Sequence, residues 1–588
     1  MLLGLFGRVC LVGSFFRIVW RRFVGTLFSA LDIARSGLQV AQVQLDVAGN
    51  NIANVNKEGY SRQRVELAWR TPNNTPFGQM GRGVQIQRIA RLRDAFLDAA
   101  YRRVAPGLSA SQSLARNYSL IEDIFLEPSE NGFGNQINTF FNAINSLSNN
   151  VQSLPLRQAV VSNAVTLAAS FNTISDRLYR QRSSINDEVL GMVTEINSMT
   201  QRIGELNGMI RNTEVGGSEA SDLRDERDRL LDQLSGFFSI SVVETGNGSV
   251  DVYVGGDSLV DSTGGRRIEA VRNPALDPVR QDLYELQFAD THKRVNAVDG
   301  TLGAAYAMRD VIIPSVSDQA DQIARAVIFE VNKIQSQGRG MRNLTGMLTG
   351  GNAVSGGAVS LGSAGLPFSI VNGSFDVIVY DASNTPTTTT IAVDPATTTL
   401  DSLAAALNAI PNFSASVSDN RLQLGANAGY AYRFANDTSG ALAAIGVNAL
   451  FTGSDAASIG VDGVIAADVS LLSTGYDVDV SNTGDNAAAL AMAAVQNALV
   501  FHGNTASITD FYQGMIGRIG IDGNANNERL AVEEAFVRNF QNRRQQISGV
   551  SLDEEVTQLM LFQRAFEGAA RVITVADRML DSLMAMAR

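Results

Sequence analysis

The sequence predicts a mainly α-helical protein with β insertions, in which helices from the two ends of the chain pair with each other. One observation is the stretch 31–63, whose apolar residues recur at alternating steps of three and four, as on one side of a helix. The same alternation returns at the C-terminus. Two apolar positions in seven form the narrow seam of a coiled coil, and such a helix must bury its seam against a partner. Between the ends, several segments alternate with a period of two, which is typical of strands.

The two seams share the same spacing. The N-terminal seam comprises Leu31, Ala34, Leu38, Ala41, Leu45, Ala48 and Ile52. The C-terminal seam comprises Leu559, Phe562, Phe566, Ala569, Ile573, Ala576, Leu580, Leu583 and Ala587. Matching seams at opposite ends of a 588-residue chain indicate that the termini meet and that the rest of the chain loops out between them.

Composition and charge argue against several classes of function. The net charge of -12 and the pI near 4.9 disfavour nucleic acid or an anionic membrane as the main ligand. Cys10 is the only cysteine, and His292 and His502 are the only histidines, so the chain has little material for disulfides, a histidine-based triad or a zinc site. The phosphate-binding glycine loop and the dinucleotide fingerprint are both absent from the sequence. We therefore expect a structural or interaction protein with no catalytic residue, metal or cofactor.

Residues 1–24 differ from everything that follows. They are apolar but interrupted by arginines, and the charge-free run 9–16 is far shorter than the roughly 20 residues that a membrane span needs. A secretory signal or anchor and a genuine extension remain alternatives. We favour a start codon assigned too far upstream, with translation beginning near Val24, so that 1–24 is a non-native extension.

The first helix is expected to end in an asparagine-rich stretch. Asparagine competes with the helix by bonding nearby backbone, and a following glycine permits a left-handed turn. The residues concerned are Asn50, Asn51, Asn54, Asn56, Gly59 and Tyr60.

Strand and helix patterns then alternate. Residues 61–70 and 83–89 are predicted to be extended, around a connection rich in Pro, Asn and Gly. A helix follows at about 94–104, and the pattern from about 109 to 234 is overwhelmingly helical.

The segment 218–236 is a strongly charged predicted helix. Ser221 is expected to cap it, Arg224 and Asp228 to form one of its ion pairs, and Gly236 to end it. Its charges are compatible with a metal or acid–base site, but a solvated face of ion pairs is favoured for charges spaced three and four residues apart.

The middle of the chain switches to a period of two. Residues 240–262 predict a β-hairpin, extended structure continues to about 288, and a helix returns at 316–337. Residues 350–478 lack Lys and Glu and are dominated by Thr, Ser, Ala and Gly. We interpret this last segment as an inserted, solvent-facing mixed β domain.

Within that insertion four elements are predicted. Residues 375–380 and 421–424 are expected to be strands, 385–390 a polar turn or edge, and 402–410 a helix.

Helical patterns resume at 485 and continue through 508–516 and 530–547. Between the last two, residues 522–534 match positions 1, 3, 5, 7 and 12 of a calcium-binding EF-hand loop. The sixth position is Asn527 instead of glycine, so we favour a polar loop between two helices over a calcium site.

The two ends carry a family resemblance. AGNNIANVNKEGYSRQ (48–63) resembles the N-terminal signature shared by axial proteins of the bacterial flagellum, and its last four residues look most like the hook-associated protein 1 family. The stretches 222–260, 484–500 and 540–586 are similar to the same family. Lys57 and Glu58 depart from the Thr-Pro that is usual there, and residues 1–24 have no counterpart.

The resemblance implies a subunit that is exported unfolded by the flagellar type III apparatus and assembles outside the cell as a ring between hook and filament. Its implied partners are copies of itself, the hook protein on one side, the next hook-associated protein or filament on the other, the export apparatus, and a dedicated export chaperone at the C-terminal helix. Alternatives are another axial subunit (hook protein, third hook-associated protein or flagellin) and a secreted adhesin or enzyme.

Four segments follow from these patterns and the resemblance. They are the extension 1–24, a terminal coiled-coil core of 25–60 with 552–588, a helical rod-like domain of 61–345 with 479–551 that contains a β region at 240–300, and the outer domain 350–478. The adhesin or enzyme alternative would use the outer domain as its binding or active module.

Overall fold

A computed structural model describes residues 5–75, 78–127, 129, 132–277, 282–501 and 503–586. The predicted class, mainly α with β insertions, is confirmed. The helices are α1 (Leu5–Ala53), α2 (Ala95–Phe125), α3 (Phe133–Ser148), α4 (Leu154–Glu214), α5 (Ser221–Phe237), α6 (Gly300–Ala307), α7 (Ile313–Gln337), α8 (Leu400–Asn408), α9 (Ala441–Ile445), α10 (Gly463–Ala467), α11 (Ala487–Ala494), α12 (Ile508–Ser548) and α13 (Leu552–Met586).

The strands are mostly short and belong to several small antiparallel sheets. They are β1 (Gln63–Trp69), β2 (Asn73–Thr75), β3 (Gly78–Met80), β4 (Val84–Arg91), β5 (Ile240–Glu244), β6 (Val250–Val254), β7 (Asp257–Asp261), β8 (Gly264–Gly265), β9 (Ile268–Arg272), β10 (Tyr284–Phe288), β11 (Leu348–Thr349), β12 (Gly373–Tyr380), β13 (Pro386–Val393), β14 (Phe413–Ser418), β15 (Arg421–Ala426), β16 (Ala431–Ala435), β17 (Phe451–Thr452) and β18 (Gly460–Val461). The predicted strands near 61–70, 83–89, 240–262, 375–380 and 421–424 are all present.

The chain forms two compact units. Unit 1 contains Met1–Ser113, Glu188–Ala304 and Glu528–Arg588, and unit 2 contains Leu114–Asp187 and Ala305–Asn527. Both ends of the chain therefore belong to unit 1. The four segments that the sequence suggests remain a prediction, and the backbone of the proposed extension is helical from Leu5 onward.

In unit 1, α1 and α13 lie against each other, and the antiparallel hairpin of β1 and β4 packs on α1. The C-terminal part of α4 supports strands β5–β10 through two asparagines. Asn207 Oδ1 accepts from the Val250 N–H (3.0 Å) and its amide donates to the Val250 carbonyl (2.8 Å). Asn197 makes the same pair of bonds with Ile268. Each side chain thereby satisfies the polar backbone of a buried strand.

Gly83 lets the hairpin approach α1 closely. Its φ of +86° lies in the left-handed region, and a Cβ built there would lie 2.3 Å from Ser36 Oγ and 3.4 Å from Ile33 Cα. A side chain here would displace the Ser36 hydroxyl and would hold the backbone in a conformation that residues other than glycine rarely adopt.

Replacing Gly83 with alanine is therefore expected to weaken hairpin docking by about 1–3 kcal/mol, through backbone strain and overpacking. Hydrogen exchange of the β1 and β4 amides measures the effect. Gly81→Ala is the matched control, since its Cβ would meet open space. Equal exchange in the two variants would contradict the close-approach explanation.

In unit 2, the predicted outer domain contains two three-stranded antiparallel sheets, ordered β13-β12-β16 and β11-β15-β14. Strand β13 is at the edge of its sheet, as predicted for the threonine run. Helix α8 begins with a capping box in which the side chains of Thr399 and Ser402 each accept the other residue's backbone N–H. The predicted helix at 402–410 thus exists, beginning two residues earlier.

Three sequence predictions about helices were wrong. Residues 522–534 form no loop: they lie inside the continuous helix α12, where Gly523 packs toward Tyr118 and Glu122, and a helix cannot wrap around a calcium ion. Tertiary packing overrides the low helix propensity of Asn and Gly there. Ser221 is the first residue of α5 and does not cap it, because the preceding Ala220 occupies the cap position. Helix α2 continues well past 104, through Pro106.

Two searches were negative over the part of the chain that the structure describes. No helix there is both long and apolar enough to cross a membrane. No group of three or more His, Cys, Asp or Glu side chains there is arranged to hold a metal ion.

Candidate assembly interface

The predicted seams lie on helices that pack together. Ala34, Ala41 and Ala48 are buried, and the leucines and Ile52 between them are half-buried. On α13, Ala576 is buried, and the other seam residues from Leu559 to Leu580 are half-buried; Ala587 and the side chain of Leu583 lie outside the described part of the chain. A Cβ on Gly37 would lie 3.9 Å from that of Ala569, so small residues meet where the helices approach.

Asn51 is the polar centre of the predicted interface. Its side chain is 1% exposed, and all four of its hydrogen-bonding positions are used. Oδ1 accepts from the Tyr60 hydroxyl (2.9 Å) and the Gln63 N–H (3.0 Å). The amide donates to the Gln63 carbonyl (3.0 Å) and to Glu555 Oε2 (3.0 Å). One side chain thus joins the end of α1, the following turn and the first turn of α13.

Arg62 completes this junction. Its Nε lies 2.6 Å from the buried carboxylate of Glu555, and its Nη1 lies 2.7 Å from Glu554. Its backbone N–H donates to the Ser548 carbonyl at 2.9 Å. The sequence pattern did not single out Arg62 or Glu555, although Arg62 belongs to the Tyr-Ser-Arg-Gln segment that carries the family resemblance.

The other predicted residues of this stretch shape the turn. Asn54 donates to both the backbone and the side-chain oxygen of Asn50, and Asn50 donates to Tyr60 Oη. Gly59 has φ +80°, which confirms the predicted left-handed conformation, whereas Asn56 is exposed. Burial raises the pKa of Tyr60, and nearby Asp222, Asp225 and Glu555 raise it further, so its hydroxyl stays protonated and donates.

A buried network, here called the arginine–aspartate cluster, lies behind the turn. Ser61 links the two, since its N–H and hydroxyl donate to Asp225 at 2.8 and 2.7 Å. Asp228 is 8% exposed and lies 3.0 Å from Arg91, 3.2 Å from Arg102 and 3.4 Å from Arg93. The members of the cluster are Arg91, Arg93, Asp98, Arg102, Asp225, Asp228, Asp232 and Arg544.

The cluster contradicts the predicted solvated face of the 218–236 helix. Asp225, Arg227 and Asp228 are buried. The predicted pair of Arg224 and Asp228 is also wrong, because Arg224 binds Glu214 and Glu244 instead. The physical reason is that the partners of α5 come from β4, α2 and α12, which local spacing cannot reveal.

The pKa values follow from this burial. Burial alone would raise the pKa of Asp228, but Arg93, Arg102 and Arg91 outweigh it and hold that pKa well below its usual range. For Asp225 burial dominates, so its pKa is raised in spite of Arg91 and Ser61.

Helix α13 also carries an exposed apolar stripe, here called the second stripe. Its residues follow steps of four and three, and all are exposed, including Val575 at 54%. On a helix this stripe lies roughly 100° around from the seam. It comprises Leu561, Ala565, Gly568, Val572, Val575 and Met579.

Family models match both helices of the interface. Residues 31–60 match the model described as flagella basal body rod protein, and residues 541–586 match that for the C-terminal region of flagellar basal body rod FlgEFG proteins. Both ends of the chain therefore match models of structural proteins of the flagellar axis, and neither model describes an enzyme.

Between these matches, residues 118–350 match the helical domain of flagellar hook-associated protein FlgK. Curated relatives named flagellar hook-associated protein 1 align almost end to end. The Bacillus subtilis (strain 168) protein is 28% identical, covering 95% of this chain and 98% of its own length. The Escherichia coli (strain K12) protein is 26% identical, covering 95% and 99%. Over 95% of its length the chain is similar to proteins named flagellar hook-associated protein 1, and over 118–350 to the FlgK helical domain, which confirms the resemblance noted from the sequence.

One solved structure also aligns. The flagellar hook junction protein FlgK from Burkholderia pseudomallei aligns with a TM-score of 0.47 and 16% identity, covering 76% of this chain and 100% of that chain.

Proposed function

We propose that this protein forms the junction between the flagellar hook and filament and assembles there through its terminal helices. The main observation in support is that α1 and α13 pack together within one chain and are joined by hydrogen bonds from Asn51, while the second stripe of α13 is exposed. A helix with two apolar stripes can bury one in its own chain and the other against a further helix. Self-association in a ring would cover the second stripe.

The family supports the position and the route. The relatives' name associates them with the hook, and on that basis the proposed neighbours are the hook protein on one side and the next hook-associated protein or filament on the other. Export in unfolded form through the flagellar apparatus, with a chaperone at the C-terminal helix and an extracellular destination, belongs to the same proposal. A chain whose only cysteine is Cys10 has no intramolecular disulfide to obstruct such passage.

Deleting 552–588 in the source organism tests the proposal. The deletion removes the whole of α13 and should give cells that build normal hooks but no filaments, with the truncated protein absent from isolated hooks. Electron microscopy of shed hooks and a motility assay measure this. Val575→Asp, which leaves the seam untouched, should impair assembly in the same direction, whereas exposed Thr574→Asp should not. Normal filaments in the deletion strain would refute the junction role.

A further inference from the structure

The segment 59–63 joins the end of α1 to β1 and is here called the strap. Its residues contact two different sides of unit 1 in alternation. The first, third and fifth residues lie against α5, whereas the second and fourth, Tyr60 and Arg62, contact the terminal helices. This period of two is that of an extended backbone, in which successive side chains point to opposite sides.

On one side the strap follows α5. The N–H and hydroxyl of Ser61 donate to one carboxylate of α5 at 2.8 and 2.7 Å, and the side-chain amide of Gln63 donates to another at 3.3 Å. A Cβ built on Gly59 would lie 3.4 Å from an arginine side chain of α5. In the order of the strap, these partners are Arg229, Asp225 and Asp222. Their spacing of four and three places them on one side of the helix, so the strap runs antiparallel to α5 along a single polar stripe.

On the other side the strap is held by the terminal helices. The Tyr60 hydroxyl donates to Asn51 near the end of α1 at 2.9 Å. Arg62 Nε lies 2.6 Å from Glu555 in the first turn of α13. The Arg62 N–H donates at 2.9 Å to the carbonyl of Ser548, the last residue of α12. Docking of α13 therefore acts directly on the strap through Arg62.

The strap also carries the base of the hairpin formed by β1 and β4. The Leu92 N–H donates to the Arg62 carbonyl at 2.8 Å, next to the first strand pair, Gln63 with Arg91. The hydrogen bonding of the hairpin thus begins on the strap. The position of the hairpin base depends on the residue that pairs with α13.

The strap supplies donors to buried carboxylates on both of its sides. Ser61, Asp225 and Glu555 are 2%, 6% and 3% exposed. If the strap moved, Asp225 would lose both Ser61 bonds and Glu555 would lose Arg62, and a buried carboxylate without its donors is costly. Because Ser61 and Arg62 are adjacent in the chain, one side of the strap cannot be released without displacing the other.

We propose that the strap couples the docking of α13 to α5 and to the hairpin. With α13 docked, Arg62 is paired and the strap is held on both sides. When α13 leaves α1, Arg62 loses its carboxylate partners and the strap loosens. Ser61 then releases Asp225, and Leu92 loses its bond to the strap. The coupling is reciprocal, so loosening the strap on α5 weakens the docking of α13.

Hydrogen exchange of the full-length chain tests the forward direction. Glu555→Gln removes the charge with which Arg62 pairs. It should speed exchange of the Ser61 and Leu92 amides about fivefold or more, although the first is bonded to α5 and the second to the strap. Glu567→Gln is the matched control, since Glu567 is exposed on the same helix. Unchanged exchange of the Ser61 amide in Glu555→Gln would overturn the coupling.

The reverse direction is tested from α5. Asp225→Asn and the milder Ser61→Ala both weaken the α5 side of the strap and leave α13 itself unaltered. Asp225→Asn should speed exchange of the amides in the first turns of α13 about fivefold or more, and Ser61→Ala should act in the same direction. Glu226→Gln is the control, because Glu226 is next to Asp225 on α5 but pairs with Arg202.

The amides of 203–210, in the buried part of α4, serve as the reference for a general loss of stability. Faster exchange in α13 than in this reference supports the coupling. Equal acceleration of the two in both variants, or unchanged exchange of α13 in both, would overturn it. The coupling is a property of the single chain, so its failure would leave the junction role intact, and that role is tested separately by the filaments of the deletion strain.

Discussion

Replacing Asn51 with alanine is expected to release the first turn of α13 from the end of α1. The change leaves the Gln63 backbone groups, the Tyr60 hydroxyl and the buried Glu555 carboxylate short of partners. Each buried unsatisfied group costs about 1–3 kcal/mol, so we expect a loss of about 3 kcal/mol or more in the stability of the terminal pair. Hydrogen exchange of the amides in the first turns of α13 measures this loss.

Asn51→Asp should be at least as damaging, because it places a second carboxylate where Asn51 now donates to Glu555. Asn56→Ala is the control, since Asn56 belongs to the same asparagine-rich stretch but is exposed. If the α13 amides were equally protected from hydrogen exchange in Asn51→Ala and Asn56→Ala, Asn51 would not be the centre of the contact between α1 and α13.

Replacing Asp228 with asparagine is expected to destabilise unit 1 by about 3–5 kcal/mol. The change keeps the size of the side chain but leaves Arg91, Arg93 and Arg102 buried with too little negative charge. Urea unfolding followed by circular dichroism measures it. The control is Glu205→Gln, because Glu205 pairs with Arg202 at the surface, where such pairs contribute about 0–1 kcal/mol. Similar effects of both changes would show that the cluster does not support the fold.

The fall in folding stability at acid pH should also show the contribution of the Asp228 carboxylate. A lowered folded-state pKa means that the Asp228 contribution is complete above the unfolded pKa of about 3.9 and is lost as pH falls through the folded value. The contribution of Asp225 to stability has the opposite sign. Because its pKa is raised in the folded state, Asp225 stabilises the fold at low pH, and this stabilisation is lost as pH rises. Asp228 has three guanidinium partners and should dominate. We therefore expect the loss of stability between pH 5 and pH 3 to be smaller in Asp228→Asn than in the unmodified protein.

The apolar spacing predicted the terminal helices because period alone identifies one side of a helix. Ala34, Ala41 and Ala48 are buried, and the asparagine-rich end and left-handed Gly59 are found where the sequence placed them. In these cases the signal is local. A run of about twenty residues fixes the helix, its end and the side that must be covered.

Long-range partners were not predictable in this way. Asp225 has the spacing of a surface ion pair, and only the return of β4 and the turn at Ser61 bury it. The 522–534 segment has the composition of a loop, but packing against α2 side chains keeps it helical. The second stripe has the same spacing as the seam, and spacing alone does not show which of two such stripes the chain covers.

The bond between Asn51 and Glu555 joins residues 504 positions apart, which has a consequence for biosynthesis. At about 5–20 residues per second, a ribosome needs roughly 25–100 s to make the chain between them. Throughout that interval α1 has been made and α13 has not, so the ends cannot close during translation. Only a chain translated as far as its last helix can therefore make this contact.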